Sequence, residues 1–458
     1  MNLDLFGQNL VVVLAMLFAS GFAYLIFAPW LQKPIQKKKK KEKKKDHQKL
    51  KIPKKKAARL LAASLLGAFF IQGLAVHEYP GEQLPALFLM SLPWMLGIGA
   101  TIWVWATRKW YNRTTGFVLI VCGFLFGLAL LNDYYHYYPT LNDAFNISHH
   151  QVIGGRTNQT VIRYSATKTG THGASLEASL QNIGQLPAQG QIYGITVPGT
   201  ASHFTARRGW LYVPPAAFSP QKVNLPVIVL MAGSPGGPND WLNGSDAAQT
   251  LSAFAAQHHG VAPLVAIVDE NGTQANDTEC VDSPHGNVET YLTVDVPNYL
   301  KTNFDVASNP ASWAIGGLSD GGMCGIMLAL RHPDTYRYFL DLGGDIGPKI
   351  GSQVATIADL FHGSQQDWQE HQPLYLLQHI SGKASNLGGF FAVGSSDSST
   401  IMSAVQSLYH QSVTSGLNVA YETTPGHHTF DVWGKQFRDA LPWLSYQLGA
   451  TVCSSQCE

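Results

Sequence analysis

Long apolar runs occupy the first third of the chain. Four stretches before residue 135 each come near the ~20 residues that a helix needs to cross the apolar core of a bilayer. Because they are apolar throughout rather than on one face, they are typical of membrane-spanning helices. The pattern predicts four transmembrane helices within residues 1–135, at about Leu10 to Ala28, Leu60 to Val76, Leu84 to Ala106 and Phe117 to Leu131.

The pattern changes twice after these runs. Residues 136–190 are rich in Gly, Ser, Thr, Asn and Gln, which predicts a linker with a small strand or two. From residue 191 onward, Ile192 to Val197 and Arg208 to Val213 predict an antiparallel strand pair, followed by a buried strand at Val227 to Met231.

Helix-like and strand-like segments then alternate to the end of the chain. This alternation predicts a mostly parallel sheet covered by helices, so residues 191–458 are interpreted as one α/β domain. The segments are Ala247 to His258, Leu264 to Val268, Thr293 to Thr302, Ser312 to Leu318, Gly325 to Arg331 and Tyr338 to Leu342.

Charge is segregated along the chain although the total is balanced, with 31 Lys and Arg against 30 Asp and Glu. Fifteen of the basic residues lie in the loop 33–59, whereas 24 acids face 13 bases from Thr140 onward. A basic loop between two apolar spans marks the cytoplasmic side of a membrane, and the short loop with Arg108, Lys109 and Arg113 agrees. We therefore expect a multi-pass cell-membrane protein whose N-terminus and 191–458 domain are extracytoplasmic. Nucleic-acid binding by the Lys run is the disfavoured rival.

The chain has five cysteines, too few for a disulfide-framework domain. Four of them lie in the region predicted to be outside the cell, where disulfides persist. The expected pairs are Cys280 with Cys324 and Cys453 with Cys457. Free buried thiols are the alternative, since sequence does not give connectivity.

The strongest chemical signal is the G-x-S-x-G run from Gly317 to Gly321, which stands between an apolar strand and a helical stretch. In that context the small residues allow a sharp turn that lifts the Ser319 hydroxyl clear of the sheet. Ser319 is therefore the predicted nucleophile, and an ordinary Gly-rich turn is the alternative.

A nucleophilic serine needs a base and an acid, which follow it in chain order in such a fold. His427 and His428 both stand where the base is expected. Asp397, after the strand-like run Gly389 to Val393, is the predicted acid, and Asp341 and Asp345 are the alternatives.

The oxyanion of an acyl-transfer intermediate needs two backbone amides. The Gly-rich loop after Met231 and the start of the helix after Ser319 supply the candidates, which are the amides of Ser234 and Asp320. A phosphate-binding loop is the rival for the first segment, but this segment lacks the Lys-Ser/Thr ending of a P-loop.

These residues resemble the esterase D-like branch of the α/β-hydrolases, which includes mycobacterial mycolyltransferases and related actinobacterial membrane esterases. The resemblance spans about Gly190 to Leu444. Besides Gly317 to Gly321, it rests on Val197-Pro198, Tyr212 to Pro215, Glu289 to Leu292, Asp295 to Pro297, Ala329 to Pro333, and His428-Thr429-Phe430 with Trp433.

The resemblance implies an α/β-hydrolase fold, selects His428 over His427 as the base, and implies that Ser234 gives the second oxyanion amide. Two departures are visible: the loop begins Met231-Ala232-Gly233 where many esterases have His-Gly, and Asp320 stands where mycolyltransferases usually have Met. A carboxylate at the pocket mouth favours polar or cationic substrates over a long bare acyl chain.

The sequence thus predicts a serine esterase that uses no cofactor or metal and acts on a lipid-borne or envelope ester beside membrane lipids, with no nucleic-acid partner. An acyltransferase of the mycolyltransferase type would form the same acyl-enzyme. An aminoacyl-phospholipid hydrolase is a further alternative, based on architecture alone. A catalytically inactive binding protein with the same fold is the non-enzymatic rival.

Overall fold

The structure is a computed structural model that describes residues 110–135, 137–138, 175–180, 186–220, 223–274, 276–380 and 386–452. The chain divides into two compact units, Met1–Ile147 and Ser148–Glu458. In the first unit, helix α1 is described at Trp110–Tyr135. The fourth predicted span falls within α1, and the other three lie outside the described residues. Within the described ranges, no helix is long and apolar enough to cross a membrane.

The second unit is built on a central eight-stranded sheet with the strand order β1-β2-β4-β3-β7-β8-β9-β10, and β5 and β6 form a separate hairpin. The strands are β1 Gln191–Ile195, β2 Gly209–Val213, β3 Val227–Met231, β4 Leu264–Ile267, β5 Asp282–Ser283, β6 Gly286–Asn287, β7 Trp313–Leu318, β8 Tyr338–Leu342, β9 Gly388–Gly394 and β10 Asn418–Thr424.

Helices cover both faces of this sheet, and each face has its own apolar core. They are α2 Leu176–Ser179, α3 Asn239–Asn243, α4 Ala247–Gln257, α5 Val288–Thr290, α6 Val296–Asn303, α7 Asp320–Arg331, α8 Gln353–Leu360, α9 Gln365–Glu370, α10 Pro373–His379, α11 Ser399–Thr414 and α12 Phe430–Gln447. Short 3₁₀ turns occur at Pro215–Phe218 and Pro310–Ser312.

The predicted sheet is confirmed. Strand β1 pairs antiparallel with β2, and β2 pairs antiparallel with β4. All other neighbours in the sheet are parallel. All residues of β3 and β7 are buried, as expected for central parallel strands that are covered on both faces. This is the predicted α/β-hydrolase arrangement.

Two local predictions need correction. The helix predicted at Thr293 to Thr302 is interrupted, because Tyr291–Asp295 forms a π-helical turn before α6. Pro297 lacks a backbone N–H and its ring crowds the preceding turn, which is consistent with the local widening. The helix predicted from Gly325 starts at Asp320, directly after the predicted nucleophile.

The predicted linker contains a short helix rather than a strand in its described part. The amides of Leu176 and Glu177 in α2 donate to the carbonyl oxygens of Gly449 and Ala450. The Glu177 carboxylate also lies 3.2 Å from His258 Nδ1. Residues near 176 are therefore fastened to the C-terminal end of the α/β unit by contacts that are distant in sequence.

The Cys280–Cys324 disulfide is present, which confirms that pair. It joins the segment before β5 to helix α7. Cys453 and Cys457 lie outside the described residues, so their pairing stays a prediction.

The predicted functional residues follow parallel strands and therefore lie at one edge of the sheet. Strands β3, β7, β8 and β9 run in the same direction, so the loops that follow them meet beyond their carboxyl ends. In open α/β sheets this edge is where ligands bind.

Candidate active site

Ser319 stands at the turn between β7 and α7. Its backbone has φ 54° and ψ −123°, a conformation that L-residues rarely adopt and that costs on the order of 1–3 kcal/mol. Close backbone approach explains the two flanking glycines. A Cβ on Gly317 would lie 2.2 Å from the Met231 carbonyl oxygen, and one on Gly321 would lie 2.3 Å from that of Ala232. The turn thus presents the Ser319 side chain at the sheet edge.

The structure brings three predicted residues into one hydrogen-bonded chain. The Ser319 hydroxyl donates to His428 Nε2 over 2.9 Å, and His428 Nδ1 donates to Asp397 Oδ2 over 2.8 Å. Asp397 is 8% exposed, and its other oxygen accepts from the Ser398 amide at 2.7 Å. The Trp433 ring packs edge-on against His428, with the ring centroids 4.6 Å apart. The imidazole is therefore held on three sides.

The alternative residues occupy other positions. His427 Nδ1 lies 2.8 Å from the Ser396 carbonyl oxygen and points away from the hydrogen-bonded chain. Asp341 is fully buried and accepts from the Gly344 amide at 2.7 Å. Burial raises the pKa of Asp341 to about 7, and the Asp345 charge adds to the rise. Burial also raises the pKa of Asp345, although Lys349 and His428 oppose this shift.

The two candidate oxyanion amides flank the Ser319 turn. A Cβ on Gly233 would lie 3.0 Å from the Ser319 Cβ, so the loop that carries Ser234 passes directly beside the nucleophile. Among the described residues, the amides of Ser234 and Asp320 donate to no backbone carbonyl, whereas the Gly321 amide is used by the Ala232 carbonyl at 2.8 Å. Both candidate donors are thus available to a substrate oxygen.

The expectation that the Asp320 carboxylate lies at the pocket mouth is wrong. Asp320 is only 9% exposed, and its Oδ1 lies 3.8 Å from the disulfide-bonded Cys324 Sγ one turn further along α7. Burial raises the pKa of Asp320 well above its usual value, and the charges of Asp277 and Asp345 add to the rise. These neighbours come from separate loops, so no sequence motif indicated that they would meet.

Cys280, Asp320 and Cys324 bring potential metal-binding atoms together in the described part of the chain. Both sulfur atoms are used in the disulfide and are not thiolates. Thiolate is the form in which cysteine binds metal. This group therefore does not have the donor chemistry of a metal site.

A second carboxylate–histidine cluster lies at the other end of α7. The Glu289 carboxylate accepts from Arg331 Nε at 2.7 Å, from His332 Nε2 at 2.6 Å and from His371 Nε2 at 3.0 Å. Burial would raise the pKa of Glu289, but the histidine hydrogen bonds and the Arg331 charge hold this pKa well below its usual value. A cleft of about 450 Å³ opens beside this cluster, and Ser319 is not among its lining residues.

With this geometry in place, comparison with known proteins identifies the family. Residues 204–444 match the model of the family described as "Putative esterase". An uncharacterized protein of Corynebacterium glutamicum is 32% identical over 404 residues, which cover 86% of this chain and 91% of that protein. The chain belongs to this esterase family, within the α/β-hydrolases, as its sequence motifs predicted.

Two further comparisons bear on class and fold. The diacylglycerol acyltransferase/mycolyltransferase Ag85A of Mycobacterium ulcerans is 28% identical over 194 residues, which cover 36% of this chain and 56% of that protein. A solved ferulic acid esterase superposes with a TM-score of 0.50 at 14% identity, covering 57% of this chain and 98% of the other, and it shows the fold alone. The chain is accordingly an enzyme of the serine hydrolase and acyltransferase class.

Proposed function

We propose that this protein is a membrane-anchored, extracytoplasmic serine esterase that works through an acyl-enzyme. The observation that carries the proposal is the hydrogen-bonded chain from Asp397 through His428 to Ser319, whose serine stands on a strained turn at the carboxyl edge of a parallel sheet. Nucleophile, base and orienting acid in mutual contact are the arrangement that activates a serine hydroxyl.

The proposed reaction has two halves. Ser319 Oγ attacks the ester carbonyl carbon while its proton passes to His428 Nε2, and the amides of Ser234 and Asp320 hold the resulting oxyanion. The tetrahedral intermediate collapses, the proton goes from His428 to the departing alcohol, and the acyl group stays on Ser319. An incoming hydroxyl oxygen then bonds to the acyl carbon as its proton passes to His428. The second tetrahedral intermediate collapses by breaking the bond to Ser319 Oγ, which takes the proton back from His428. Asp397 keeps the imidazole oriented and stabilises its positive charge throughout.

Hydrolysis and transfer differ only in the second nucleophile, which is water in one and an alcohol in the other. Transfer is the second candidate, supported by the similarity to a protein named as a diacylglycerol acyltransferase/mycolyltransferase. Product analysis in the presence of candidate acceptor alcohols separates the two. Free acid as the only product supports hydrolysis, and a new ester supports transfer.

The membrane part of the proposal rests on sequence. Fifteen basic residues in the loop 33–59, flanked by apolar runs, contrast with the acidic excess after Thr140. Confinement at a surface raises the local concentration of a surface-bound substrate, so we propose that the ester is borne by a lipid or by the envelope.

The test compares full-length protein with residues 140–458 on soluble and liposome-borne esters. The proposal expects similar rates on the soluble ester and a marked loss on liposomes for the shorter form, whereas equal rates on liposomes would contradict it.

The esterase proposal is tested by turnover of a short soluble ester. Ser319→Ala is expected to abolish turnover, while Ser396→Ala, which removes an exposed hydroxyl near the site, is expected to retain it. A fold check by circular dichroism accompanies both variants. Full activity of Ser319→Ala would exclude this nucleophile, and absence of any turnover by the wild type across an ester panel would favour an inactive binding protein.

A further inference from the structure

Several carboxyl groups that are buried or half-buried lie near Asp320, the residue that follows the nucleophile. Glu270 is fully buried, Glu279 is 6% exposed and Asp320 is 9% exposed, while Asp277 and Asp345 are half-buried. These five residues come from the loops after β4 and β8 and from the start of α7. We refer to them as the acidic cluster.

The members of the cluster influence one another. Burial raises the pKa of Glu279 well above its usual value, and the charges of Asp320 and Asp277 add to the rise. Burial likewise raises the pKa of Glu270, helped by the charge of Asp269. Buried like charges that interact in this way disfavour the ionised state unless a cation lies among them.

Few cations lie near the acidic cluster in the part of the chain that the structure describes. Arg207 is committed to Asp269, since its guanidinium lies 2.6 Å from Asp269 Oδ1 and also donates to the Gly236 carbonyl. Lys349 is exposed and acts on Asp345. Arg207 also acts on Glu270, and His285 acts on Asp277, so in the described part of the chain three basic side chains face five acids.

Independent of any charge, carboxyl oxygens in the cluster are left without hydrogen-bond partners. Glu270 Oε2, Asp277 Oδ1 and Asp320 Oδ2 are each buried and unpartnered. Buried polar atoms in native proteins are normally paired, and leaving one unpaired costs about 1–3 kcal/mol. Three such oxygens in one cluster indicate a site that is completed by a bound group.

The position of the cluster relates it to the scissile ester. A hydrogen bond with Ser234, in the predicted oxyanion loop, acts on Asp277. Asp320 directly follows Ser319, and Asp345 is close enough to His428 for their charges to interact. A substrate carbonyl between the oxyanion amides and His428 would therefore lie within the field of these acids, and so would a group attached to its α-carbon.

The fold also fixes this arrangement covalently. The Cys280–Cys324 disulfide ties the loop that carries Asp277 and Glu279 to α7, one turn after Asp320. Glu279 and Cys280 both have positive φ, at 48° and 54°. The disulfide thus holds acidic side chains against the helix that starts at the nucleophile.

A metal ion is the less suitable occupant. Among the described residues, the acids and cysteines that bring single ligand atoms within 4.8 Å of one another are Cys280, Asp320 and Cys324, and the two cysteines are disulfide-bonded. The carboxyl groups of the cluster are more widely spaced than a compact coordination shell requires. An ammonium group, which donates three hydrogen bonds and attracts charge over a longer range, suits them better.

We propose that the acidic cluster is the subsite for a protonated amino group on the acyl side of the substrate, so that the preferred substrate is an aminoacyl ester. This inference rests on the proposed esterase function. The α-ammonium of such an ester lies two bonds from the carbonyl carbon that Ser319 attacks. Bound there, it supplies donors to carboxyl oxygens that lack them and balances their charge.

The test uses two esters of one fluorogenic alcohol, 4-methylumbelliferone, with the purified full-length chain. The alanyl ester carries an α-ammonium where the isobutyryl ester carries a methyl group of similar size. The measured quantity is the ratio of kcat/KM for alanyl over isobutyryl ester. Dividing the wild-type ratio by the variant ratio cancels the difference in intrinsic reactivity between the two esters.

Asp320→Asn and Asp277→Asn are expected to lower this ratio by about 10- to 100-fold, the range for a hydrogen bond to a charged group. Asp334→Asn, which makes the same charge change on an exposed residue beyond the far end of α7, is expected to leave the ratio within about twofold. A 2-methoxypropanoyl ester, which carries a neutral methoxy group in place of the α-ammonium, should behave like the isobutyryl ester.

The outcomes separate the two proposals. If Ser319 is required for turnover of both esters but the ratio is unchanged in the Asp variants, the subsite inference is wrong and the esterase remains. If Ser319→Ala hydrolyses both esters as well as wild type does, the proposed function itself fails. Loss of alanyl preference on treatment with a chelator, restored by a divalent metal, would show that the cluster holds a metal and would also overturn the inference.

Discussion

Two carboxylate–histidine clusters at opposite ends of α7 differ in what the histidine does with its second nitrogen. At the start of the helix, His428 uses one nitrogen for Asp397 and the other for the Ser319 hydroxyl. At its end, His371 uses one nitrogen for Glu289 and the other for the Asp367 carbonyl, 2.6 Å away. The first histidine contacts a hydroxyl that can give up a proton, whereas the second contacts only acceptors.

The carboxylates differ in the same way. Asp397 accepts from one histidine and one backbone amide, whereas Glu289 is saturated by Arg331, His332 and His371. A carboxylate that already accepts from three charged or polar side chains does not activate one imidazole for catalysis. It stabilises the packing of α5 against α7 and the end of α9. The comparison teaches that carboxylate–histidine contact alone does not indicate catalysis, and that the group on the far nitrogen decides the role.

The largest expected effect tests the two histidines directly. His428→Ala is expected to lower kcat/KM by about 10⁴- to 10⁶-fold, because the base and the serine act as a unit. His371→Ala, the matched change in the second cluster, is expected to leave kcat/KM within a few-fold and to lower the thermal midpoint instead. Steady-state kinetics and thermal melts on both variants check this. Equal losses of activity would contradict the assignment of a catalytic role to His428 and a structural role to His371.

His427→Ala sharpens the same comparison at the adjacent position. Its ring contacts the Ser396 carbonyl rather than Ser319, so the loss of activity should be small beside that of His428→Ala. A loss of similar size at both positions would mean that the neighbouring residue was wrongly excluded.

The orienting acid gives the next largest effect. Asp397→Asn is expected to lower kcat by about 10³- to 10⁴-fold, since an amide cannot hold the imidazole in the required tautomer or stabilise its charge. Asp345→Asn, which also acts on His428 electrostatically, should cost much less. Kinetics with a soluble neutral ester measure both. A larger loss for Asp345→Asn would transfer the role to that residue.

Stability, rather than activity, is expected to depend on Glu289. Glu289→Gln should destabilise the fold by about 3 kcal/mol, because it leaves Arg331 and two histidines facing an uncharged amide at a buried position. The pKa of Glu289 is lowered in the folded state. The ionised carboxylate therefore stabilises the fold fully above pH 4.5, the ordinary pKa, and this stabilisation is lost as the pH falls below that value.

Urea unfolding at pH 7 and at pH 3 measures this contribution. The difference between wild type and Glu289→Gln should be large at pH 7 and shrink at pH 3. A difference independent of pH would show that packing, not charge, fastens the helices.

The smallest effect concerns Asp341, a buried carboxyl whose hydrogen bond of 2.7 Å comes from the neutral Gly344 amide. Burial raises its pKa to about 7, so the folded state is penalised progressively as the pH rises from the ordinary value of 3.8 toward 7. Asp341→Asn should therefore gain about 1–2 kcal/mol over wild type at pH 8 and little at pH 4. Thermal melts across this range, with the exposed Asp359→Asn as control, check the sign. If Asp341→Asn were less stable than wild type at pH 8, the ionised Asp341 carboxylate would be stabilising, which contradicts the prediction.

Much of the fold was predictable because it is encoded locally. The apolar run Val227–Met231 and the sequence Tyr338–Leu342 became strands with the predicted limits, since burial on both faces of a parallel sheet demands continuous apolar residues. The turn at Ser319 was predictable because its geometry requires small residues at fixed offsets, as Gly317 and Gly321 show.

The rest of the site depends on contacts that are distant in sequence. Strand order alone left Asp341, Asp345 and Asp397 open as acids, because each lies at or just beyond the carboxyl end of a strand at the same sheet edge. The motifs that contain Glu289 and Arg331 were part of the family resemblance. Their structural role, a salt bridge between residues 42 positions apart, is visible only in the structure. The acidic cluster was missed for the same cause, and the lone signal in the sequence, Asp320 beside Ser319, suggested an exposed carboxylate rather than a buried one.

The central claim is that Ser319 is the activated nucleophile, and covalent labelling tests it most directly. Wild-type protein is treated with a fluorophosphonate, digested and mapped by mass spectrometry, beside His428→Ala and His371→Ala. The account predicts one adduct, on the peptide that contains Ser319, formed rapidly in wild type and His371→Ala and slowed by orders of magnitude in His428→Ala. An adduct on a different serine, or equal labelling rates in all three proteins, would contradict it.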